Sequence, residues 1–132
     1  MKITPDTNVL VRALTEDDPR QSKIAQAELS KAEIVAIALP ALCELVWVLM
    51  RGYRIPAAET AEAIRRLMNS TNVVTNRPAA EAGLAMLEAG GDFADGAIAF
   101  EGNWLGADTF VSFDRKATKL AEAQGLTSRF LS

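Results

Sequence analysis

The stretch IVAIALPALCELVWVLMRG, residues 34–52, combines two kinds of local structure. Residues 34–37 form a short β-branched run, which is too brief for a helix and is typical of a buried parallel strand. Pro40 suits the first turn of a following helix, where a missing N–H has no partner to lose, and Gly52 ends that helix. The stretch therefore predicts a strand that leads directly into a helix.

The same alternation recurs on both sides of this stretch. The further predicted strands are Lys2–Pro5, Asn72–Thr75, Thr109–Phe113 and Thr127–Leu131. The predicted helices are Thr7–Leu14, one from Pro19, Pro40–Arg51, one from Pro56, Pro78–Ala89, Asp92–Leu105 and Asp114–Gln124. Strands that alternate with helices imply right-handed crossovers and a parallel sheet covered on both faces. We therefore predict one α/β domain over residues 1–132, with about five short strands in a central parallel sheet.

The composition excludes several kinds of active site. The chain has no histidine, so Ser-His-Asp, Cys-His and histidine-ligated zinc sites are all ruled out. Any metal must therefore be held by oxygen ligands, which favours hard cations such as Mg²⁺ or Mn²⁺. A net charge of −3 gives no overall basic surface for nucleic acid, although several arginines cluster locally.

No segment predicts a membrane span or a signal peptide. The most apolar stretch, residues 34–50, is shorter than the ~20 residues that a spanning helix needs, and Pro40 and Glu44 interrupt it. The apolar run after Lys2 is short and reaches a charge at Asp6. We therefore expect a cytoplasmic protein with no membrane association.

Two aspartates directly follow predicted strands. Asp6 comes after the first strand, and Asp114 comes after the strand Thr109–Phe113. In an open parallel sheet, ligands bind beyond the carboxyl ends of the strands, so the two side chains can converge. The alternative for each is a helix N-cap, which is the commonest role of an aspartate at the start of a helix.

Glu44 is surrounded in sequence by apolar residues, which predicts a buried helix around it. An ionised carboxylate inside a protein costs several kcal/mol unless a partner compensates it. That partner would be a metal ion. The alternative is a glutamate whose side chain extends to solvent or forms a salt bridge, with Arg51 and Arg54 as candidate partners.

Asp92 and Asp95 lie three residues apart in GGDFADGAIAFEG, on the same side of a helix start. One of the two can cap the helix while the other points elsewhere. The spacing alone leaves open which residue takes which role.

The four positions matter most as a set. If acids at Asp6, Glu44, Asp95 and Asp114 converge, their mutual repulsion raises their pKa values. About two divalent cations would cancel their combined charge, which is the logic of two-metal phosphodiester cleavage.

Four short motifs together resemble the PIN-domain ribonucleases, and more narrowly the VapC toxins of bacterial toxin–antitoxin pairs. These motifs are DTNVLVR (6–12), the Glu44 helix preceded by Pro40, DFADGAIA (92–99) and FVSFDRKA (110–117). The resemblance covers essentially the whole chain. It implies a three-layer α/β/α fold and an endoribonuclease that uses one or two Mg²⁺ or Mn²⁺ ions. It also implies inhibition by a cognate VapB-type antitoxin.

The resemblance assigns roles residue by residue. By it, the principal metal ligands are Asp6 and Asp95, and Asp114 and Glu44 complete the cluster directly or through water. Asn8 matches a polar position that orients the first acid, and Ser112 matches a hydroxyl before the fourth, whereas the role of Asp92 stays open. Pro5 departs from the usual aliphatic residue and suggests that the first strand ends early.

Cations at the rim of such a site would guide RNA. The candidates by position are Arg12, Arg51, Arg54, Arg115 and Lys116. The alternative for each is ordinary solvated helix surface. We also expect a homodimer, from the resemblance and from apolar helix surface at Trp47, Val48, Trp104 and Leu105.

Other acid-based α/β enzymes fit less well. A haloacid-dehalogenase-like phosphatase needs an acid two residues after the first one, where this chain has Asn8. A response-regulator receiver needs an acidic pair near the first strand, where only Asp6 is present, and a late lysine for which Lys116 is poorly placed. A catalytically silent PIN-like binding or regulatory module remains the main alternative to the nuclease toxin.

Overall fold

One or more helices separate each short strand from the next in the computed structural model, which describes residues 1–132. The strands are β1 (Lys2–Ile3), β2 (Ile34–Ile37), β3 (Val73–Thr75), β4 (Phe110–Ser112) and β5 (Ser128–Phe130). The helices are α1 (Thr7–Leu14), α2 (Pro19–Lys31), α3 (Leu39–Trp47), α4 (Ala57–Met68), α5 (Arg77–Glu88), α6 (Phe93–Trp104) and α7 (Arg115–Ala123). The chain divides into two compact units, Met1–Arg77 and Pro78–Ser132.

The first unit is built on a parallel sheet with β2 between β1 and β3. Lys2 lies opposite Ile34, and Val35 lies opposite Val73. The Asn72 side chain donates from Nδ2 to the carbonyl of Ala32 at 3.0 Å, which ties the entrance of β3 to the end of α2. Fully buried side chains from α1, α3, α4 and the turn after α3 form the core of this unit: Leu10, Leu42, Leu45, Leu49 and Ile64.

The helix predicted over Pro40–Arg51 is not a single α-helix. It ends as α3 at Trp47 and continues as a π-helical turn, Val48–Gly52. The Tyr53 N–H donates to the Val48 carbonyl at 3.2 Å, which is the five-residue spacing of a π-turn. The wider turn brings the Tyr53 side chain to Asp17, with 2.6 Å between the hydroxyl and carboxylate oxygens.

In the second unit, α5 and α6 approach closely through glycines. A Cβ at Gly96 would lie 2.4 Å from the Ala82 carbonyl oxygen, and one at Gly83 would lie 2.7 Å from the Phe93 ring. The Phe93 side chain is fully buried. Helix α7 packs against the parallel pair β4–β5, in which Phe110 lies opposite Ser128.

The predicted α/β class with parallel strands is confirmed. All five strands are present, and their hydrogen bonds form a three-stranded and a two-stranded sheet. Strand β1 ends at Ile3 rather than at Pro5, because Pro5 has no N–H to donate to a ladder. None of the helices combines the length and the apolar character that a membrane span requires.

Candidate active site

Asp6 caps the first helix of the first unit. The Val9 N–H donates to Asp6 Oδ1 at 3.0 Å, so the N-cap alternative for this residue is correct. The cap uses one of the two carboxylate oxygens, and the residue is exposed. Capping therefore fixes the carboxylate just beyond β1 without preventing it from binding a ligand.

Glu44 is exposed, and the prediction that it is buried was wrong. Residues at spacings of four, three and four along α3 and its π-turn form one exposed stripe: Pro40, Glu44, Trp47 and Arg51. The apolar neighbours of Glu44 in sequence point to other faces of the helix, where Leu45 and Leu42 are fully buried. The desolvation cost that would require a compensating partner therefore does not apply to Glu44.

Glu44 lines two adjoining surface hollows of the first unit. One hollow, of about 370 Å³, is also lined by Asp6 and Thr7. The other, of about 300 Å³, is lined by Asn8, Arg12 and again Glu44. The fold of this unit thus brings together three of the predicted site residues, Asp6, Asn8 and Glu44, around one patch of surface.

Arg12 belongs to a hydrogen-bonded network that the sequence did not predict. Its Nη1 donates to Asp17 Oδ1 at 3.0 Å, and the Tyr53 hydroxyl donates to Asp17 Oδ2 at 2.6 Å. The pKa of Asp17 lies below its ordinary value, chiefly because of the Tyr53 hydrogen bond and to a smaller extent because of Thr15 and Arg12. One feature of the sequence could have indicated this network. Asp18, directly before Pro19, is the N-cap of α2, so the neighbouring Asp17 has no capping role.

The other two predicted cations of this unit lie near the end of the π-turn. Arg51 and Arg54 are both exposed. Arg54 has a φ of 56°, a left-handed conformation that is uncommon for a residue with a side chain. Both stay candidates for contacts with a ligand.

Asp92 and Asp95 divide their roles in the second unit. The Asp92 carboxylate caps α6 by accepting the Ala94 N–H at 3.2 Å, which settles the alternative that the spacing left open. Asp95 lies in the first turn of α6 and is half-buried. Burial raises the pKa of Asp95 above its ordinary value, and the negative charges of Asp92 and Asp114 raise it further.

Asp114 caps α7, as its N-cap alternative predicted. Its Oδ1 accepts the N–H groups of Lys116 at 2.9 Å and Ala117 at 3.2 Å. The Asp114 N–H in turn donates to Ser112 Oγ at 2.9 Å, so Ser112 fixes the backbone that carries the carboxylate. Both capping bonds end on one oxygen of Asp114.

The predicted cations after Asp114 differ in how firmly they are held. The Arg115 guanidinium lies 4.1 Å from the centre of the Phe130 ring, a cation–π contact that fixes its position. Both Arg115 and Lys116 are exposed.

The donor atoms suit a hard divalent cation. All the candidate ligands are carboxylate oxygens, and the charge crowded around Asp95 is the kind that a bound cation relieves. Within neither unit do three such side chains stand together as a group that could hold a metal ion. The chemistry of the donors therefore fits Mg²⁺ or Mn²⁺, while their positions within one unit do not form a complete site.

Comparison with known families identifies the chain. A search of curated proteins found no similar relative. The model of the family described as PIN domain matches residues 3–123, a span that includes Asp6, Glu44, Asp95 and Asp114. PIN domains are typically Mg²⁺-dependent nucleases that act on RNA. Because the match covers nearly the whole chain, this protein belongs to the PIN-domain family.

Proposed function

We propose that this PIN-domain protein is an Mg²⁺- or Mn²⁺-dependent endoribonuclease and the toxin of a VapC-type toxin–antitoxin pair. The observation that carries the nuclease proposal is the PIN-domain match over residues 3–123, which spans all four predicted acids. The like charges of Asp92 and Asp114 near the half-buried Asp95 support it. A PIN domain that retains these acids keeps the charge needed to bind a cation.

The proposed metal ligands are the four acids that the sequence predicted. Asp6 and Asp95 are the principal metal ligands, and Glu44 and Asp114 complete the set directly or through water. When bound, one or two Mg²⁺ or Mn²⁺ ions would supply Lewis-acid stabilisation of the charge that develops on the scissile phosphate. Asp92 has a supporting role through its charge beside Asp95.

The helix caps fix the positions of two of these carboxylates, Asp6 and Asp114. Backbone N–H groups at the start of α1 and α7 hold one oxygen of Asp6 and one oxygen of Asp114. A carboxylate that is already held in place has less freedom to lose when it binds its ligand. Ser112 supports Asp114 by accepting a hydrogen bond from its backbone N–H. Asn8 is assigned the role of orienting Asp6.

RNA would be guided by the cations near the acids. The proposed contacts are with backbone phosphates, which give affinity without sequence specificity. The cations assigned to this role are Arg12, Arg51, Arg54, Arg115 and Lys116.

The toxin role implies an antitoxin partner, a homodimer and a cytoplasmic site of action. Large exposed apolar side chains support protein contacts, since such surface is costly to leave in water. Trp47, Trp104 and Leu105 are 61%, 77% and 71% exposed. Growth arrest on expression, relieved by a small protein encoded next to this gene, would support the toxin role. Sedimentation tests the dimer, and a monomer at micromolar concentration would contradict it.

Cleavage of RNA by the pure protein tests the nuclease proposal. We expect cleavage in Mg²⁺ or Mn²⁺ that stops on addition of EDTA and is absent from the Asp6→Asn, Asp95→Asn double variant. Asparagine caps helices about as well as aspartate, so the variant should keep α1 intact and fold normally. Binding of RNA without metal-dependent cleavage would favour the silent binding module instead, as would equal cleavage by the double variant.

A further inference from the structure

We propose that Arg12 holds a phosphate of the RNA beside Glu44, and that Asp17 and Tyr53 are positioning residues that fix Arg12 for this contact. The inference rests on the proposed function, because it takes RNA as the ligand. Asp17 and Tyr53 thereby gain a role in RNA binding, and Arg12 is expected to contribute more to binding than the other candidate cations.

The Arg12 guanidinium donates to one oxygen of Asp17, and Tyr53 holds the other oxygen of the same carboxylate. Asp17 Oδ1 accepts from Arg12 Nη1 at 3.0 Å, and Asp17 Oδ2 accepts from the Tyr53 hydroxyl at 2.6 Å. Tyr53 directly follows the π-turn after α3, the helix that carries Glu44. The network therefore joins α1, the loop after it and the end of α3 around the same hollow.

Arg12 keeps capacity for a ligand. A guanidinium carries five N–H donors, and Asp17 takes one of them. The Nε atom is buried without a hydrogen-bond partner, a state that a freely moving arginine would avoid by turning toward water. Asp17 thus holds the side chain in a position that leaves donors unused.

The position of Arg12 matches what a phosphate requires. The hollow that Arg12 lines with Asn8 and Glu44 measures about 300 Å³, many times the space of one water molecule. The planar guanidinium fork binds phosphate oxygens through two parallel hydrogen bonds. A phosphate held there would lie beside Glu44, one of the proposed metal ligands. Arg51 and Arg54 are exposed and have no comparable anchor.

Binding of a single-stranded oligoribonucleotide in EDTA tests the role of Arg12 without any cleavage. We expect Arg12→Gln to weaken binding roughly 10- to 100-fold, the range for loss of a charge-assisted hydrogen bond. We also expect the slope of log affinity against log salt to fall by about 0.7, as for one lost phosphate contact. The matched control is Arg20→Gln, an exposed arginine on α2 that carries the same charge, which should weaken binding less than about threefold.

A double-mutant cycle tests whether Tyr53 acts through Arg12. Tyr53→Phe removes only the hydroxyl, and we expect it to weaken binding roughly 2- to 10-fold and to raise KM with kcat nearly unchanged. In the Arg12→Gln background, Tyr53→Phe should have no further effect on affinity. Asp17→Asn should behave in the same way, and thermal unfolding of each variant checks that it folds.

The outcomes separate the inference from the proposed function. RNA affinity for Arg12→Gln within twofold of that for Arg20→Gln would overturn the inference, and so would an effect of Tyr53→Phe that persists in the Arg12→Gln background. No binding of RNA by the wild-type protein would also overturn it. If the wild-type protein cleaves RNA while Arg12→Gln is unaffected, only the inference fails. If Arg12 controls binding and no metal supports cleavage, only the proposed nuclease function fails.

Discussion

The acidic residues of the two units lie in different electrostatic surroundings. In the first unit, Asp6 and Glu44 are exposed along surface hollows, and Arg12 lines one of them. In the second unit, Asp95 is half-buried and has Asp92 and Asp114 as like-charged neighbours, which raise its pKa. The second unit thus carries a charge imbalance that a cation would relieve, whereas the first presents carboxylates that water already solvates.

The largest expected difference is in catalysis. Asp95→Asn should lower the rate of metal-dependent RNA cleavage by about 10³-fold, since stabilisation of transition-state charge by a metal is worth several kcal/mol. Glu44→Gln should lower it only about 10- to 100-fold, because an exposed side chain that acts through water behaves as an outer ligand. Single-turnover cleavage at saturating Mn²⁺ measures both. Equal losses of cleavage rate in the two variants would contradict the proposal that Asp95 contributes more to catalysis than Glu44.

Replacing a glycine of α6 with alanine should destabilise the protein much more at Gly96 than at Gly102. Gly96→Ala places a Cβ 2.4 Å from the Ala82 carbonyl oxygen, so we expect a loss of about 1–3 kcal/mol in the free energy of unfolding. Gly102→Ala meets nothing within 4 Å and should be neutral or add up to about 1 kcal/mol, because alanine favours helix.

Urea unfolding of both variants provides the measurement. The Gly96→Ala variant should also lose cleavage activity, because the substitution displaces the turn of α6 that carries Asp95. Equal stability of the two variants would contradict the close approach of α5 and α6.

The raised pKa of Asp95 predicts how stability depends on pH. A folded-state pKa above the unfolded value means that the folded protein holds the proton more tightly, so Asp95 lowers stability once pH rises through that pKa. Without metal at pH 7, Asp95→Asn should therefore be more stable than the wild-type protein, by less than about 1 kcal/mol because the group is partly solvated.

The gain should shrink as pH falls and should vanish well below the ordinary value of 3.8, where the carboxyl is protonated in both the folded and the unfolded state. The exposed Glu44 is the matched control, and Glu44→Gln should change stability by less than about 0.5 kcal/mol at either pH. Chemical unfolding in EDTA across this pH range measures both variants. A gain for Asp95→Asn that grows at low pH would contradict the assigned direction of the shift.

Local sequence signals predicted most of the fold. Helix α1 and strand β2 have the predicted bounds, because a capping aspartate starts the first and a β-branched run forms the second. The π-turn Val48–Gly52 was missed, since helical periodicity does not distinguish an α-turn from a π-turn over so short a stretch. The grouping of the strands into two sheets depends on long-range hydrogen bonds that local patterns do not encode.

The candidate site was predicted in part. The caps at Asp6 and Asp114 follow from residue type and position, whereas the choice between Asp92 and Asp95 needed the helix geometry. Exposure of Glu44 was missed because apolar neighbours in sequence occupy other faces of its helix. The bond between Tyr53 and Asp17 joins distant segments, so no short motif could have indicated it.

The central proposal is that Asp6 and Asp95 are both ligands of the catalytic metal. Calorimetric titration of Mn²⁺ into the wild-type protein and into the Asp6→Asn and Asp95→Asn variants tests it directly. We expect each single substitution to weaken Mn²⁺ binding by at least about tenfold, as for loss of a ligand or its close support. Unchanged affinity in Asp6→Asn, together with loss of binding in Asp95→Asn, would contradict the claim and confine the metal to the second unit.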